Sequence, residues 1–401
     1  MNPLYKFYCR VFQTCFKLAI PILPYRKPHV LESVSEVSAV LQDEHKTSVL
    51  LVTDAGIRGC GLTRALEKDL AQHAIHVEIY DKTKPNPSVA NVEEALELYT
   101  ASHCQAIVAF GGGSAMDCAK AVGARVVYPH KTVGQLKGLL RVLKPLPLLI
   151  AIPTTAGTGS EVTITSVITD QRTKHKYTMN SFPLIPHYAV LDPAVTSSLP
   201  AHLTATTGMD ALTHAVEAYI GNSTTKETKA LSLEAVALIF GNITRAYTHG
   251  DDIEARRNML IASHKAGLAF EKSYVGYVHA IAHSLGGQYD IAHGFANAVI
   301  LPIVLEAYSQ AVYAKLKDLA IAAGIATETT PENKAAQDFI QAIRGLNKTM
   351  GIPEHIDAIQ PCDISCMAHH AACEANPLYP VPVLFDEREL KELYAIVAGW
   401  Q

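Results

Sequence analysis

No CxxC pair occurs in this chain, although it holds eight cysteines, at positions 9, 15, 60, 104, 118, 362, 366 and 373. Without paired spacing there is no zinc-finger framework and no basis for a disulfide scaffold. Scattered thiols of this kind fit a reducing compartment, so a cytoplasmic protein is expected. A basic stripe interleaved with aromatics is also missing, which excludes nucleic acid as a partner. Only 18 % of residues are charged and the net charge is −4. The apolar run CFKLAIPILP (15–24) is interrupted by Lys17 and Pro21. It is too short to cross a bilayer, and no small-residue cleavage site follows it. Residues 1–30 are therefore expected to form an arm packed on the body or on a neighbouring subunit, with no membrane partner. The common GxGxxG fingerprint is absent, and so are internal repeats and low-complexity stretches.

What is present is a large apolar content, 49 % of 401 residues. A chain of this length exceeds one core and suggests two domains. Its first half alternates strands and helices. Strands are expected at 48–53, 76–80, 105–110 and 146–153, with helices at 61–73, 90–103 and 115–126. The strands are apolar throughout, the pattern of a parallel sheet covered on both faces. Extended segments over 162–192 finish this part. Beyond about 195 helical periods dominate, at 224–248, 252–270, 274–286, 298–325 and 333–350. The expected division is 1–194, an α/β domain, and 195–401, an all-α domain.

Two glycine-rich loops follow neighbouring strands. FGGGSAMDCAK (110–120) runs from strand into helix. Its glycines allow close approach of a ligand to the backbone, and the helix that begins there offers free N–H groups to phosphate. PTTAGTGSE (153–161) adds glycines and the hydroxyls of Thr154, Thr155, Thr158 and Ser160. Ligands of open α/β sheets bind at the carboxyl ends of strands, so the pair reads as a phosphate site for a dinucleotide. Asp54, at the end of the strand LLVTD, either accepts hydrogen bonds from a ribose or caps the AGIRG turn.

Asp210 and His214 in GMDALTHAVEAY share one helical face by their i, i+4 spacing. His279 and His283 repeat that spacing in GYVHAIAHSLGGQYDIAHGFANA, and His293 follows a glycine pair expected to turn the chain back. Three imidazoles and a carboxylate suit a divalent transition metal, with Fe(II) and Zn(II) both compatible. Only four of these five groups fit one compact site. His279 and His283 compete for one place, and the spacing does not choose. The remaining histidine would carry a proton between an alkoxide and solvent. A rival set is Cys362, Cys366, His369, His370 and Cys373, of which Cys362, Cys366 and His370 fall on one helical face.

Together GGGSAMDCAK, PTTAGTGSEVT, TGMDALTHAVEAY and GYVHAIAHSLGGQYDIAHGFANA resemble the iron-containing (group III) alcohol dehydrogenase family, over roughly residues 30–400. The resemblance implies a dinucleotide-binding α/β domain and a helical metal domain, an architecture shared with dehydroquinate synthase. It implies metal ligands at Asp210, His214, His279 and His293, with His283 as the non-ligand histidine. By the same resemblance Asp54 favours NAD over NADP. Gly112, Gly113, Ser114 and Asp117 match the pyrophosphate loop, Thr154, Thr155 and Thr158 the second cofactor loop, and Lys176 a lysine near the ribose. Phe270 and Cys373 match pocket positions. Two departures stand out. Ala292 replaces a proline that often precedes the last ligand histidine. Leu378 replaces the arginine of an Asn-Pro-Arg motif, which suggests a more apolar pocket wall. A homodimer is the assembly the family implies.

The expected reaction is metal- and NAD-dependent interconversion of a primary alcohol and its aldehyde. The alternative is a polyol or diol oxidoreductase of glycerol or lactaldehyde type, which requires polar groups in the pocket. A dehydroquinate-synthase-like lyase would need a basic phosphate pocket beside the ligands, and no Lys/Arg cluster stands there. A purely structural or filament-forming subunit would have no use for four converging ligands.

Overall fold

The computed structural model describes residues 1–171 and 175–400 and divides into two compact units, 24–199 and 200–401 with 1–23. The division after Leu199 follows the last extended segment, where Pro200 opens the first long helix of the second unit. The first 23 residues group with the helical unit. The assignment of an N-terminal arm to the α/β part is corrected accordingly. Residues Pro3–Ala19 form helix α1, capped by Asn2 with proline at the first helical position, a start signal legible in the sequence.

The α/β unit contains β1 (His29–Leu31), α2 (Val37–Asp43), β2 (Ser48–Val52), α3 (Ala55–Gly59), α4 (Arg64–Gln72), β3 (His76–Tyr80) and α5 (Val89–Ala101). It continues with β4 (Ala106–Gly111), α6 (Gly113–Val127), β5 (Gly138–Leu139), β6 (Leu148–Pro153), β7 (Thr165–Asp170), β8 (His175–Asn180) and β9 (Tyr188–Val190). Six strands pair in the order β1-β9-β6-β4-β2-β3, all parallel. Strands β4 and β6 are buried along their whole length, as the unbroken apolar runs require. One face packs Leu50, Ile107 and Leu149 against α5 and α6, and the other packs Leu51, Val108 and Ile150 beneath α2 and α4. The extended segments over 162–192 separate into two fates. β9 joins the main sheet, and β7 and β8 form an antiparallel pair in a second sheet, ordered β5-β8-β7.

The helical unit contains α7 (Ala201–Ile220), α8 (Lys226–Thr248), α9 (Ile253–Ser273), α10 (Tyr277–Tyr289) and α11 (His293–Tyr308), then α12 (Tyr313–Ala322), α13 (Glu332–Thr349), α14 (Ile364–Ala375) and α15 (Glu387–Val397). The central helix α7 is buried almost from end to end. The turn between α10 and α11 is not made by Gly286 and Gly287, which lie inside α10; Asp290, left-handed at φ 54°, makes it. An aspartate tolerates that region better than most side chains. Ala292 caps α11 at φ −60°, the value a proline ring would impose, so the missing proline leaves the path of the chain unchanged.

Candidate active site

In the α/β unit the carboxyl ends of three neighbouring strands, β2, β4 and β6, carry Asp54, Gly111–Ser114 and Thr154–Thr158. The two glycine-rich loops lie side by side. The Thr154 N–H donates to the Gly111 carbonyl at 3.0 Å. A Cβ on Gly112 would lie 3.4 Å from the Thr155 hydroxyl, and one on Gly113 would press on Thr158 at 3.1 Å. Gly112 begins α6 with no side-chain cap, and Thr155 Oγ1 is buried without a protein partner. An uncapped helix start beside an unsatisfied hydroxyl fits an anionic phosphate ligand. Asp54 caps α3, its Oδ1 accepting from Ile57 N at 3.0 Å, and its Oδ2 lies 3.7 Å from the Cβ position of Gly111, beside the first glycine-rich loop.

Asp117 does different work from the rest of its loop. It accepts from the Ser160 hydroxyl and from Val167 N, both at 3.1 Å. Loss of solvent pushes its carboxyl up to about 6, against the pull of Lys120. Lys120, passed over in the sequence, is fully buried and donates to Ser160 Oγ, the Thr163 carbonyl and hydroxyl, and the Thr165 carbonyl, at 2.8–3.1 Å. These two residues tie the second loop to α6. Lys176 stands on β8 opposite Thr169, in the three-stranded sheet.

In the helical unit α7 carries Asp210 and His214, α10 carries His279 and His283, and His293 opens α11. Asp210, His214, His279 and His293 each bring one ligand atom to within 4.8 Å of the other three. Asp210, His214 and His279 are buried. Packing makes the choice that spacing left open: His279 joins the cluster and His283 stands outside it, its ring stacked on His293 with centroids 5.1 Å apart. Asn297, also unforeseen, lies among the donors. Its amide nitrogen is 2.7 Å from Asp210 Oδ1, 3.1 Å from His293 Nε2 and 3.3 Å from His279 Nε2. Three acceptor atoms thus aim at one small volume, as a cation requires.

Glu217, one turn beyond His214 on α7, completes the support. It accepts from Gly276 N at 2.8 Å, from Val278 N at 2.9 Å and from His279 Nδ1 at 2.6 Å. Carboxylate contact at Nδ1 leaves the Nε2 lone pair for a metal and fixes the ring. A Cβ on Gly276 would lie 2.7 Å from Glu217 Oε1, so a side chain there would displace that carboxylate. Glu217 is separated from Asp210 by seven residues, two helical turns on the same face, and that spacing was the available signal. Burial pushes Glu217 up to about 7, with the three donors opposing. Burial, reinforced by the neighbouring imidazoles, drives His279 well below the usual histidine range and takes His293 down to about 4. Both rings are therefore neutral near pH 7, the state in which they can ligate.

His283 has a separate partner. Its Nδ1 is 2.6 Å from Glu374 Oε1, and that oxygen also accepts from the Tyr379 hydroxyl at 2.7 Å. Burial opposes the imidazolium, but Glu374 outweighs it and holds the His283 pKa above its ordinary value. Cys373 is exposed and turns to His369 Nε2 at 3.6 Å, while its neighbour Glu374 turns to the cluster side of α14. One residue along a helix is a rotation of about 100°. Phe270 stacks on His214, with centroids 4.1 Å apart, and so braces a donor. The rival cysteine set disperses: Cys362 precedes α14, Cys366 lies 3.9 Å from His370, and His369 pairs with Glu387.

Residues 30–193 match the sequence profile described as iron-containing alcohol dehydrogenase, and residues 204–397 that described as Fe-containing alcohol dehydrogenase family, C-terminal. The 1,3-propanediol dehydrogenase of Citrobacter freundii is 37 % identical over 383 residues, covering 94 % of this chain and 98 % of its own. Alcohol dehydrogenase 4 of Saccharomyces cerevisiae is 38 % identical over 362 residues, covering 89 % and 93 %. Among solved structures, a 1,3-propanediol oxidoreductase superposes with a TM-score of 0.89 at 37 % identity, covering 93 % of this chain and 99 % of the other.

Proposed function

The chain belongs to the iron-containing alcohol dehydrogenase family, and from that membership we propose that it interconverts a primary alcohol and its aldehyde with NAD and Fe(II). The observation that carries the reading is the convergence of Asp210, His214, His279 and His293 within 4.8 Å. These four residues would hold the metal, and Asp54, Gly112, Gly113, Ser114, Thr154, Thr155 and Thr158 the dinucleotide. When bound, the ion supplies Lewis acidity toward an alcohol oxygen and the nicotinamide supplies a hydride acceptor. Asp54 would favour NAD, since a carboxylate there could accept from ribose hydroxyls and would repel a 2′-phosphate.

The protein's own groups manage the proton. Glu374 holds His283 by Nδ1, which leaves Nε2 to take the proton of a substrate hydroxyl and pass it outward. Tyr379 steadies Glu374 by donating to it. Glu217 orients His279, and Phe270 keeps one face of His214 from water. Imidazole and carboxylate donors accept iron or zinc alike; the family relationship supports iron. Eight free thiols suit the reducing cytoplasm in which we place the protein.

A second reading has its own support. Glu374 and Tyr379 put polar groups beside His283, as a diol would use, and the Citrobacter relative is named for 1,3-propanediol. The test is NADH absorbance with anaerobic, Fe(II)-loaded protein, NAD and straight-chain alcohols beside 1,2-propanediol, 1,3-propanediol and glycerol. Turnover that needs the metal and rises with chain length supports the alcohol reading, and turnover with diols alone selects the second. Silence across the panel with metal bound overturns both. Activity restored by Zn(II) as well as by Fe(II) would overturn the iron assignment.

A further inference from the structure

The connection between α14 and α15, NPLYPVPVLF (376–385), carries prolines at 377, 380 and 382. Proline has no N–H to donate, so this segment cannot pair its own backbone throughout as a helix or strand does. The carbonyls of its buried residues Tyr379, Pro380 and Val381 need donors from elsewhere. Helix α1 supplies them. Arg10 donates to the carbonyls of Val381 and Pro382 at 2.6 and 2.8 Å, and the Gln13 amide donates to those of Tyr379 and Pro377 at 2.7 and 3.2 Å. The Gln13 side-chain oxygen accepts from Arg10 at 2.8 Å, so the two side chains hold each other. Lys17 donates to the Asn222 carbonyl at 2.9 Å. Asn222 in turn donates from its backbone to Pro380 at 2.7 Å and from its side chain to Val381 at 3.0 Å. A second route runs through rings: Phe16 meets Tyr274 edge-on at 5.0 Å, and Tyr274 lies 6.5 Å from Tyr379. Cys9, Gln13 and Ile20 are buried on this side of the helix. Leu4, Phe7 and Leu18, on the opposite side, are each 70 % exposed or more.

What the held segment presents is Tyr379. Its hydroxyl donates to Glu374 Oε1 at 2.7 Å, the same oxygen that His283 Nδ1 meets at 2.6 Å. A continuous line of contacts therefore runs from Arg10 and Gln13, through the backbone of 379–382, to Tyr379, Glu374 and His283. We propose that α1 is a positioning element of the active site: Arg10 and Gln13 set Tyr379, and through it Glu374, so that His283 is held by Nδ1 with Nε2 free for the substrate hydroxyl. The inference rests on the dehydrogenase reading of the site. Neither Arg10 nor Gln13 touches His283, and neither changes the chemistry available there. Their effect is on placement, and a misplacement of about 1 Å costs on the order of a hundredfold in rate.

The experiment compares the full chain with its Arg10→Met and Gln13→Leu variants, by hydrogen exchange of the amides of 378–385 and by turnover per bound Fe(II). Both variants are expected to exchange faster in that segment. Turnover per metal should fall by about tenfold or more, while KM for NAD stays within about twofold. A fold that was merely destabilised would lower the loaded fraction and leave turnover per metal unchanged. Action through Tyr379 has its own mark, non-additivity. Tyr379→Phe alone should lower turnover, and adding Arg10→Met to it should cost less than about twofold more. Arg10→Lys, which keeps the charge and one donor, should recover part of the loss, and Leu18→Ser on the exposed side should match the wild type in both readouts. Losses that multiply in the double variant overturn the proposal. So does exchange that is unaltered in both variants, or faster exchange with turnover per metal unchanged. Silence of the wild type toward every alcohol defeats the dehydrogenase reading and the positioning role with it, whereas an active wild type matched by both variants defeats the positioning role alone.

Discussion

At the scale of single residues the site depends on groups that decide which nitrogen of an imidazole is available. His279→Ala should abolish metal retention and turnover together, since it removes a buried donor; a variant that keeps both, by metal analysis and assay, would overturn its assignment. Glu217→Gln preserves shape but weakens the hold on His279 Nδ1. Metal affinity is expected to fall by about 10–100-fold, read by competition with a chelator, while the fold persists. His187 tests the opposite situation, a neutral histidine required by the fold. Its Nδ1 accepts from Leu149 N at 3.1 Å. Burial, helped by the Arg26 charge, lowers its pKa from 6.5 to about 4. Between those values the unfolded chain takes a proton that the folded chain refuses, so stability falls as pH drops through this window. The expected loss is about 1–2 kcal/mol after discounting for residual solvent contact. His187→Asn, which keeps an acceptor near Leu149 N, should flatten that part of the urea-unfolding pH profile.

At the scale of elements the decisive contact is between α7 and α11. A Cβ on Gly294 would collide with the Thr206 carbonyl and lie 3.3 Å from Asp210 Cβ. The obstacle is backbone, which cannot swing aside as a side chain tip would. Gly294→Ala should therefore push the start of α11, with His293, away from Asp210. We expect about 1–3 kcal/mol of destabilisation together with weaker metal binding, although no donor is changed. Unaltered metal affinity by titration would show that the two helices adjust independently. The expected helix limits held to within a few residues for α8, α9 and α13, where polar caps and apolar periods agree. They failed for α10, because the glycine pair was read as a turn while the left-handed position fell to Asp290.

At the scale of the whole molecule the chain is two units, each with its own candidate ligand site. A metal held by the four candidate donors within 200–401 would bind the folded state alone. It is expected to add about 2.7 kcal/mol at a hundredfold excess over its dissociation constant. Stripping the ion with a chelator should lower the calorimetric midpoint of the helical unit by about 2–4 °C for each kcal/mol lost. The His279→Ala protein should show no chelator effect. An identical chelator shift in that variant would place the stabilising ion elsewhere.

The sequence by itself determined the parallel α/β half, the helical half, the two glycine-rich loops and the five candidate metal groups. Those features are local: apolar runs, i, i+4 spacing and glycine next to a strand end are properties of neighbouring residues. Spacing left His279 and His283 open, the resemblance named His279, and packing sets it in the cluster; tertiary structure alone turned Glu374 rather than Cys373 toward His283 and brought Glu217 and Asn297 against the donors. It also divided the segments over 162–192 between two sheets and turned the apolar side of α1 outward. Each of these depends on which face of an element meets another far away in the chain. A rotation of one residue, about 100°, reverses the outcome without altering any local pattern.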